Sequence, residues 1–172
     1  MTVMKNLLFV LFFALMITSF FFDREVLSFA SRIGNENLDL IATALSHTAL
    51  LVVTLFICSY LLWDKKRIVY LWGGVGFSYV ISLILKFLVQ RVRPIESGLS
   101  SFGFPSSHAT VYFFIIALMN GYSEKYKSLF FVLAVLVALS RVYLGQHYLS
   151  DVIGGGLLGI GLYLFLKKWI KT

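Results

Sequence analysis

The chain has 172 residues, of which 59% are hydrophobic and only 13% charged. That charged share is about half of what a soluble domain carries, which excludes a water-soluble fold and makes a bilayer the natural solvent. The net charge is +7, but the basic residues cluster between apolar stretches, as loops held on one membrane face do; no nucleic-acid partner is expected.

The length suits a single domain spanning residues 1–172. A membrane-crossing helix needs roughly 20 apolar residues, and six stretches qualify in chain order: 6–22, 38–63, 68–90, 107–122, 129–145 and 149–166. The first ends in Phe20-Phe21-Phe22-Asp23, with no small-x-small cleavage site, so a retained helix is expected and not a signal peptide. Residues 24–37 carry Val26, Leu27, Phe29, Ala30 and Ile33 among charges and end in the turn formers Gly34, Asn35 and Asn37. This pattern predicts a short amphipathic helix lying at the interface after the first span, with a polar loop as the alternative. The expected fold class is therefore an all-α membrane protein, a six-transmembrane helix bundle. The one cysteine, Cys58, lies inside an apolar run and reads as a small buried hydrophobe, with neither a disulfide nor a Cys-x-x-Cys metal motif available.

Charge sorts the loops. Lys5, Lys65, Lys66, Arg67, Lys125, Lys127, Lys167, Lys168 and Lys171 fall on one side, and Arg24, Arg32, Lys86, Arg91, Arg93 and Arg141 on the other. The nine should face the cytoplasm, which puts both termini inside and the second group outside. Lys86 and Arg141 lie within or near the end of apolar segments, where an ionisable residue is costly and points to a functional site. Arg91 is read instead as an interfacial arginine that snorkels to headgroups.

Three clusters gather on that outer side. The first is Lys86 to Pro94, with Lys86 and Arg93 seven residues apart and hence on one helical face, although Pro94 disfavours helix at Arg93 and places it just past the end. The second is Phe104-Pro105-Ser106-Ser107-His108, where Pro and Ser suit a helix start. Free backbone N–H groups there form an anion site. The third is Ser140-Arg141 followed by His147 and Asp151, the last two on one face. Lys86, Arg93 and Arg141 would repel one another unless an anion joined them, and phosphate has the charge and acceptor geometry. A carboxylate that accepts one imidazole N–H fixes the tautomer and frees the other nitrogen for attack. A structural histidine–carboxylate pair is the alternative for His147 and Asp151.

Lys-x6-Arg-Pro, Pro-Ser-x-His and Ser-Arg-x5-His-x3-Asp, in that order between Lys86 and Asp151, resemble the signature of the type 2 phosphatidic acid phosphatase (PAP2) and vanadium haloperoxidase superfamily. The resemblance implies a phosphatase with no metal and no cofactor. In it His147 attacks phosphorus and forms a phosphohistidine, Asp151 orients it, and His108 protonates the leaving oxygen and then activates water. Lys86, Arg93, Ser106, Ser107 and Arg141 would bind the phosphoryl oxygens, Ser107 and His108 through their backbone N–H groups. The family pattern has Gly where this chain has Ser107, which keeps the donor but predicts a tighter or rearranged pocket.

The implied substrate is a membrane lipid phosphate: a polyprenyl diphosphate such as undecaprenyl diphosphate, phosphatidic acid or phosphatidylglycerol phosphate. A phosphotransferase using the same intermediate and a non-catalytic lipid-binding protein are the alternatives. Residues 95–103, with Glu96 and two glycines, are the one candidate lid. His47 reads as a structural or packing residue. Gly155 and Gly159, like Gly73, Gly74 and Gly76, read as close-packing positions within the bundle. Trp63, Tyr70, Trp72 and Trp169 fit an inner interfacial belt. Nothing in the sequence sets an oligomeric state.

Overall fold

A computed structural model describes residues 2–94, 98–119 and 124–168. Glu96 of the candidate lid, Tyr122 at the end of the expected fourth span and Trp169 therefore lie outside the described residues. The described residues form seven helices: α1 (Thr2–Arg32), α2 (Glu36–Ser46), α3 (Thr48–Leu62), α4 (Lys65–Val89), α5 (Ser107–Met119), α6 (Glu124–Tyr143) and α7 (Leu149–Lys167).

Two expectations are corrected. The amphipathic stretch after the first span is not a separate helix: α1 runs unbroken to Arg32. No Gly or Pro interrupts the chain before Gly34, and the polar break at Asp23 is buried and bonded, so nothing ends the helix there. The expected second span is split at His47, where α2 and α3 meet at a bend of 52°. His47 has extended backbone and closes α2 while capping α3, its Nδ1 accepting from the Ala49 N–H at 3.1 Å. Its role is structural, as a cap shared by two helices at the bend.

Three described helices are long and apolar enough to cross a bilayer, over Lys65–Val89, Tyr126–Tyr143 and Leu149–Lys167; the bent pair α2–α3 makes a fourth if counted as one span, while Ser107–Met119 is apolar but shorter. The helix ends follow local chemistry. Asp64 caps α4 by accepting from the Lys66 N–H at 3.1 Å. Gln90, left-handed at φ 50°, closes it through its N–H to the Lys86 carbonyl.

Helix α5 is the axis of the bundle, packed against α4, α6 and α7, with α1 laid along α7 and α2 along α6. The tightest seam is α5 on α7. A Cβ placed on Gly159 would come 2.1 Å from the Thr110 carbonyl oxygen, and one on Gly155 would come 2.6 Å from that of Ser106. These two glycines allow backbone to touch backbone, as the sequence predicts. Gly74 likewise receives the Phe114 ring, whereas Gly73 and Gly76 face nothing within 4 Å and are not packing positions. Leu55, Leu71, Val111, Phe114, Ile115 and Met119 form the main core at the α4 N-terminal end of the bundle, with Cys58 fully buried among them. The C-terminal ends of α4 and α6 and the N-terminal ends of α5 and α7 therefore gather at the opposite end.

Candidate active site

At that end the three sequence clusters meet. His147 sits in the turn between α6 and α7 and is 1% exposed. Backbone bonds from the Gln146 and His147 N–H groups to the Arg141 carbonyl hold the turn. Asp151, one turn into α7, is fully buried. Its Oδ2 lies 3.4 Å from His147 Nδ1 and accepts from the Tyr148 N–H at 3.0 Å. With the carboxylate taking Nδ1–H, the lone pair of Nε2 is turned toward the cations. Arg93 Nη1 stands 2.9 Å from that Nε2 and also donates to the Gln146 carbonyl at 2.6 Å. Burial pushes the His147 imidazole from its ordinary 6.5 down to about 3; the Asp151 bond opposes this and the Arg93 charge adds to it. The ring is thus neutral, the form a nucleophile needs.

Lys86, in the last turn of α4, reaches the loop before α5, where its Nζ donates to the Phe102 and Gly103 carbonyls at 3.0 Å each. Arg93 lies past the helix end, as Pro94 predicts, and its Nε is held by the Ser101 carbonyl and hydroxyl at 2.9 and 3.1 Å. Arg141, in the last turn of α6, is buried, and its Nη1 donates to the Ser46 carbonyl at 3.3 Å and to the Ser46 hydroxyl. Ser46 also donates to Gln146 Oε1 at 3.2 Å. Helix α2 therefore holds one of the three cations, a part that the sequence pattern did not indicate.

Ser106 precedes α5. Its carbonyl accepts from the Thr110 N–H and its N–H donates to the Asp151 carbonyl at 3.0 Å, which ties the second motif to the third. Its hydroxyl does not cap the helix. Ser106 Oγ, His108 Nε2 and Arg141 Nε are buried polar atoms with no protein partner. Buried polar groups are normally bonded; Ser78 Oγ and the Tyr112 hydroxyl elsewhere in the bundle are unpartnered too, but three of the five atoms belong to expected site residues and are open to an external partner. Ser107 makes a hydroxyl–hydroxyl bond with Ser82 of α4 at 2.8 Å. The Ser107 hydroxyl is thus drawn to α4.

Sequence reasoning missed two residues here. Arg91 is not an interfacial arginine: its Nη1 donates to Asp151 Oδ1 and its Nη2 to Asp23 Oδ2, both at 2.6 Å. Asp23, from α1, is 4% exposed. An acid immediately after an apolar segment was the available signal, since a buried carboxylate needs a cation. Among the described residues no three of His, Cys, Asp and Glu cluster as a metal site would need.

Residues 67–172 match the model of the PAP2 superfamily. The chain is 37% identical over 116 residues to phosphatidylglycerophosphatase B of Bacillus subtilis, covering 56% of this chain and 57% of that protein. It is 36% identical over 104 residues to decaprenylphosphoryl-5-phosphoribose phosphatase of Mycobacterium tuberculosis, covering 55% of this chain and 58% of that one. The chain thus spans less than two thirds of the length of either relative. The crystal structure of a transmembrane PAP2-type phosphatidylglycerolphosphate phosphatase from Bacillus subtilis superposes with a TM-score of 0.70 at 27% identity, covering 97% of this chain and 94% of that one. With more than half of its residues inside the family model and the three motifs gathered at one end of the bundle, this chain belongs to the PAP2 superfamily.

Proposed function

We propose that the chain is a lipid phosphatase that works through a phosphohistidine on His147, without metal or cofactor, on a polyprenyl diphosphate, phosphatidic acid or phosphatidylglycerol phosphate. The observation that carries this reading is the set of buried, partnerless atoms of Ser106, His108 and Arg141 beside the neutral His147. A phosphoryl group would satisfy all three and balance Lys86, Arg93 and Arg141. Relatives named for lipid-linked phosphates support the substrate class.

The chemistry follows from the placement. His147 Nε2 attacks phosphorus, the bond from phosphorus to the leaving oxygen breaks, and His108 gives that oxygen a proton. Asp151 balances the positive imidazole. The three cations, Ser106 and the backbone N–H groups of Ser107 and His108 hold the oxygens over which charge spreads. Water, losing its proton to His108, then attacks phosphorus and the N–P bond breaks. Attack requires Arg93 to leave Nε2 and take a phosphoryl oxygen.

We read the single unit 1–172 as a six-span bundle, with α2–α3 one broken span and α5 a short one held inside. The lysine-rich ends, Lys65 and Lys66 of α4 and Lys167 and Lys168 of α7, face the cytoplasm with both termini, and His147 faces outside. A headgroup already resides at that depth, and its tail can lie between helices.

The test is phosphate release by the purified protein from a panel of undecaprenyl or dolichyl diphosphate, phosphatidic acid and phosphatidylglycerol phosphate, in excess chelator. Release from at least one lipid, abolished in His147→Ala, is expected. Undiminished release by that variant, or strict dependence on a divalent metal, overturns the mechanism. Transfer of phosphate to an alcohol acceptor instead of water would show the phosphotransferase alternative.

A further inference from the structure

Asp23 lies outside the residues that match the family model, directly after Phe20, Phe21 and Phe22 on α1, yet it is heavily bonded. Its Oδ1 accepts from the Ser150 N–H at 2.9 Å, and its Oδ2 accepts from the Ser150 hydroxyl and from Arg91 Nη2, each at 2.6 Å. The other arm of Arg91 donates to the Ser150 hydroxyl at 2.5 Å and to Asp151 Oδ1 at 2.6 Å. The guanidinium carbon also lies over the Phe20 and Tyr148 rings, 4.7 and 4.5 Å from their centroids. The arginine fork is therefore held by two carboxylates, a hydroxyl and two aromatic rings. It joins a carboxylate of α1 to the carboxylate that holds His147.

The charges explain why two acids share one arginine. Arg91 alone would neutralise Asp151 and leave little negative charge to meet the positive imidazole formed on attack. A second carboxylate alone would repel Asp151 in a dry site. Asp23, Arg91 and Asp151 together carry one net negative charge, which matches the one positive charge that His147 acquires. Arg suits this and Lys does not, because only a planar fork bonds two carboxylates at once.

We propose that Asp23 and Arg91 are positioning residues for phosphoryl transfer: they fix the Asp151 carboxylate against His147 and keep its charge available, which makes α1 part of the catalytic apparatus. This rests on the reading of His147 as the nucleophile. Neither residue is assigned a contact with substrate, so the effect falls on the chemical step.

The experiment measures kcat, KM and thermal midpoint for Asp23→Asn, Arg91→Gln, Arg91→Lys and the double variant Asp23→Asn/Arg91→Gln, with His147→Ala as control. For each single variant kcat should fall by about ten- to a hundred-fold, the scale by which removing the outer partner of a metal-bound histidine lowers activity, with KM within about twofold. The double variant should lose no more than the worse single one, since both act through Asp151. Arg91→Lys should restore only part of kcat. If Asp23→Asn does not fold, the Arg91→Lys and Arg91→Gln pair reads the same link from the loop. An unchanged kcat in folded Asp23→Asn or Arg91→Gln, or a loss confined to KM, overturns the proposal while an inactive His147→Ala leaves the phosphohistidine reading standing. An active His147→Ala overturns both.

Discussion

Arg93 Nη1 lies 2.9 Å from Nε2 of His147, the nitrogen proposed to attack phosphorus. A guanidinium cannot lose its proton, so this contact is a donation onto the nucleophile's lone pair. It also places Arg93 within one atom's reach of any phosphoryl group that His147 attacks.

Arg93→Lys should therefore not behave as a conservative change. Lysine keeps the charge but cannot hold the Ser101 and Gln146 carbonyls while contacting phosphate. We expect kcat/KM for phosphate release to fall by about a hundred-fold, the scale of losing one preorganised donor to a developing oxyanion. Arg93→Gln should fall further. Equal activity of Arg93→Lys and the parent protein would remove Arg93 from the pocket.

Burial of His147 makes folding sensitive to acid. The unfolded histidine takes up a proton at about 6.5, whereas the folded one resists until about 3. The folded value is the lower one, so the full stability is present above pH 6.5 and is lost as pH falls toward 3. Within that window the loss is up to about 1.4 kcal/mol per pH unit. Thermal midpoints in detergent, taken at about pH 7.5 and about pH 5, check this; His147→Gln should show the smaller drop. An equal drop in both proteins would contradict it.

The α5–α7 seam makes a prediction about packing. Gly159→Ala sets a methyl 2.1 Å from the Thr110 carbonyl oxygen, where only backbone can yield. It should destabilise by about 1–3 kcal/mol, as overpacking does, seen as a lower thermal midpoint. Gly73→Ala, with nothing within 4 Å, should be tolerated or stabilising.

Ser107 supplies a fourth case. Ser107→Gly removes its bond to Ser82 at 2.8 Å but leaves the backbone N–H donors. Stability should fall by about 1 kcal/mol, and kcat should change by less than about threefold, because the anion-binding donors are main-chain groups. Thermal melting and steady-state phosphate release check both halves. A large loss of kcat would assign the hydroxyl itself to the pocket.

The sequence by itself determined which helix ends hold the polar clusters. Lys86 and Arg93 flank the end of α4, Ser106 and His108 open α5, and His147 and Asp151 open α7, because 3.6-residue periodicity, Pro94 and local caps act over a few residues. Hydropathy located the apolar helices for the same reason. It could not find the bend at His47, since one extended residue barely alters an averaged window. Tertiary structure alone decided partner choice. Arg91 and Asp23 are 68 residues apart and Arg141 and Ser46 are 95 apart, distances over which a sequence carries no period. An arginine just past the end of an apolar segment looks the same whether it meets headgroups or a buried aspartate. Only the packing of α1 on α7 and of α2 on α6 removed water from Asp23 and Arg141, and desolvation then required each charge to find its partner.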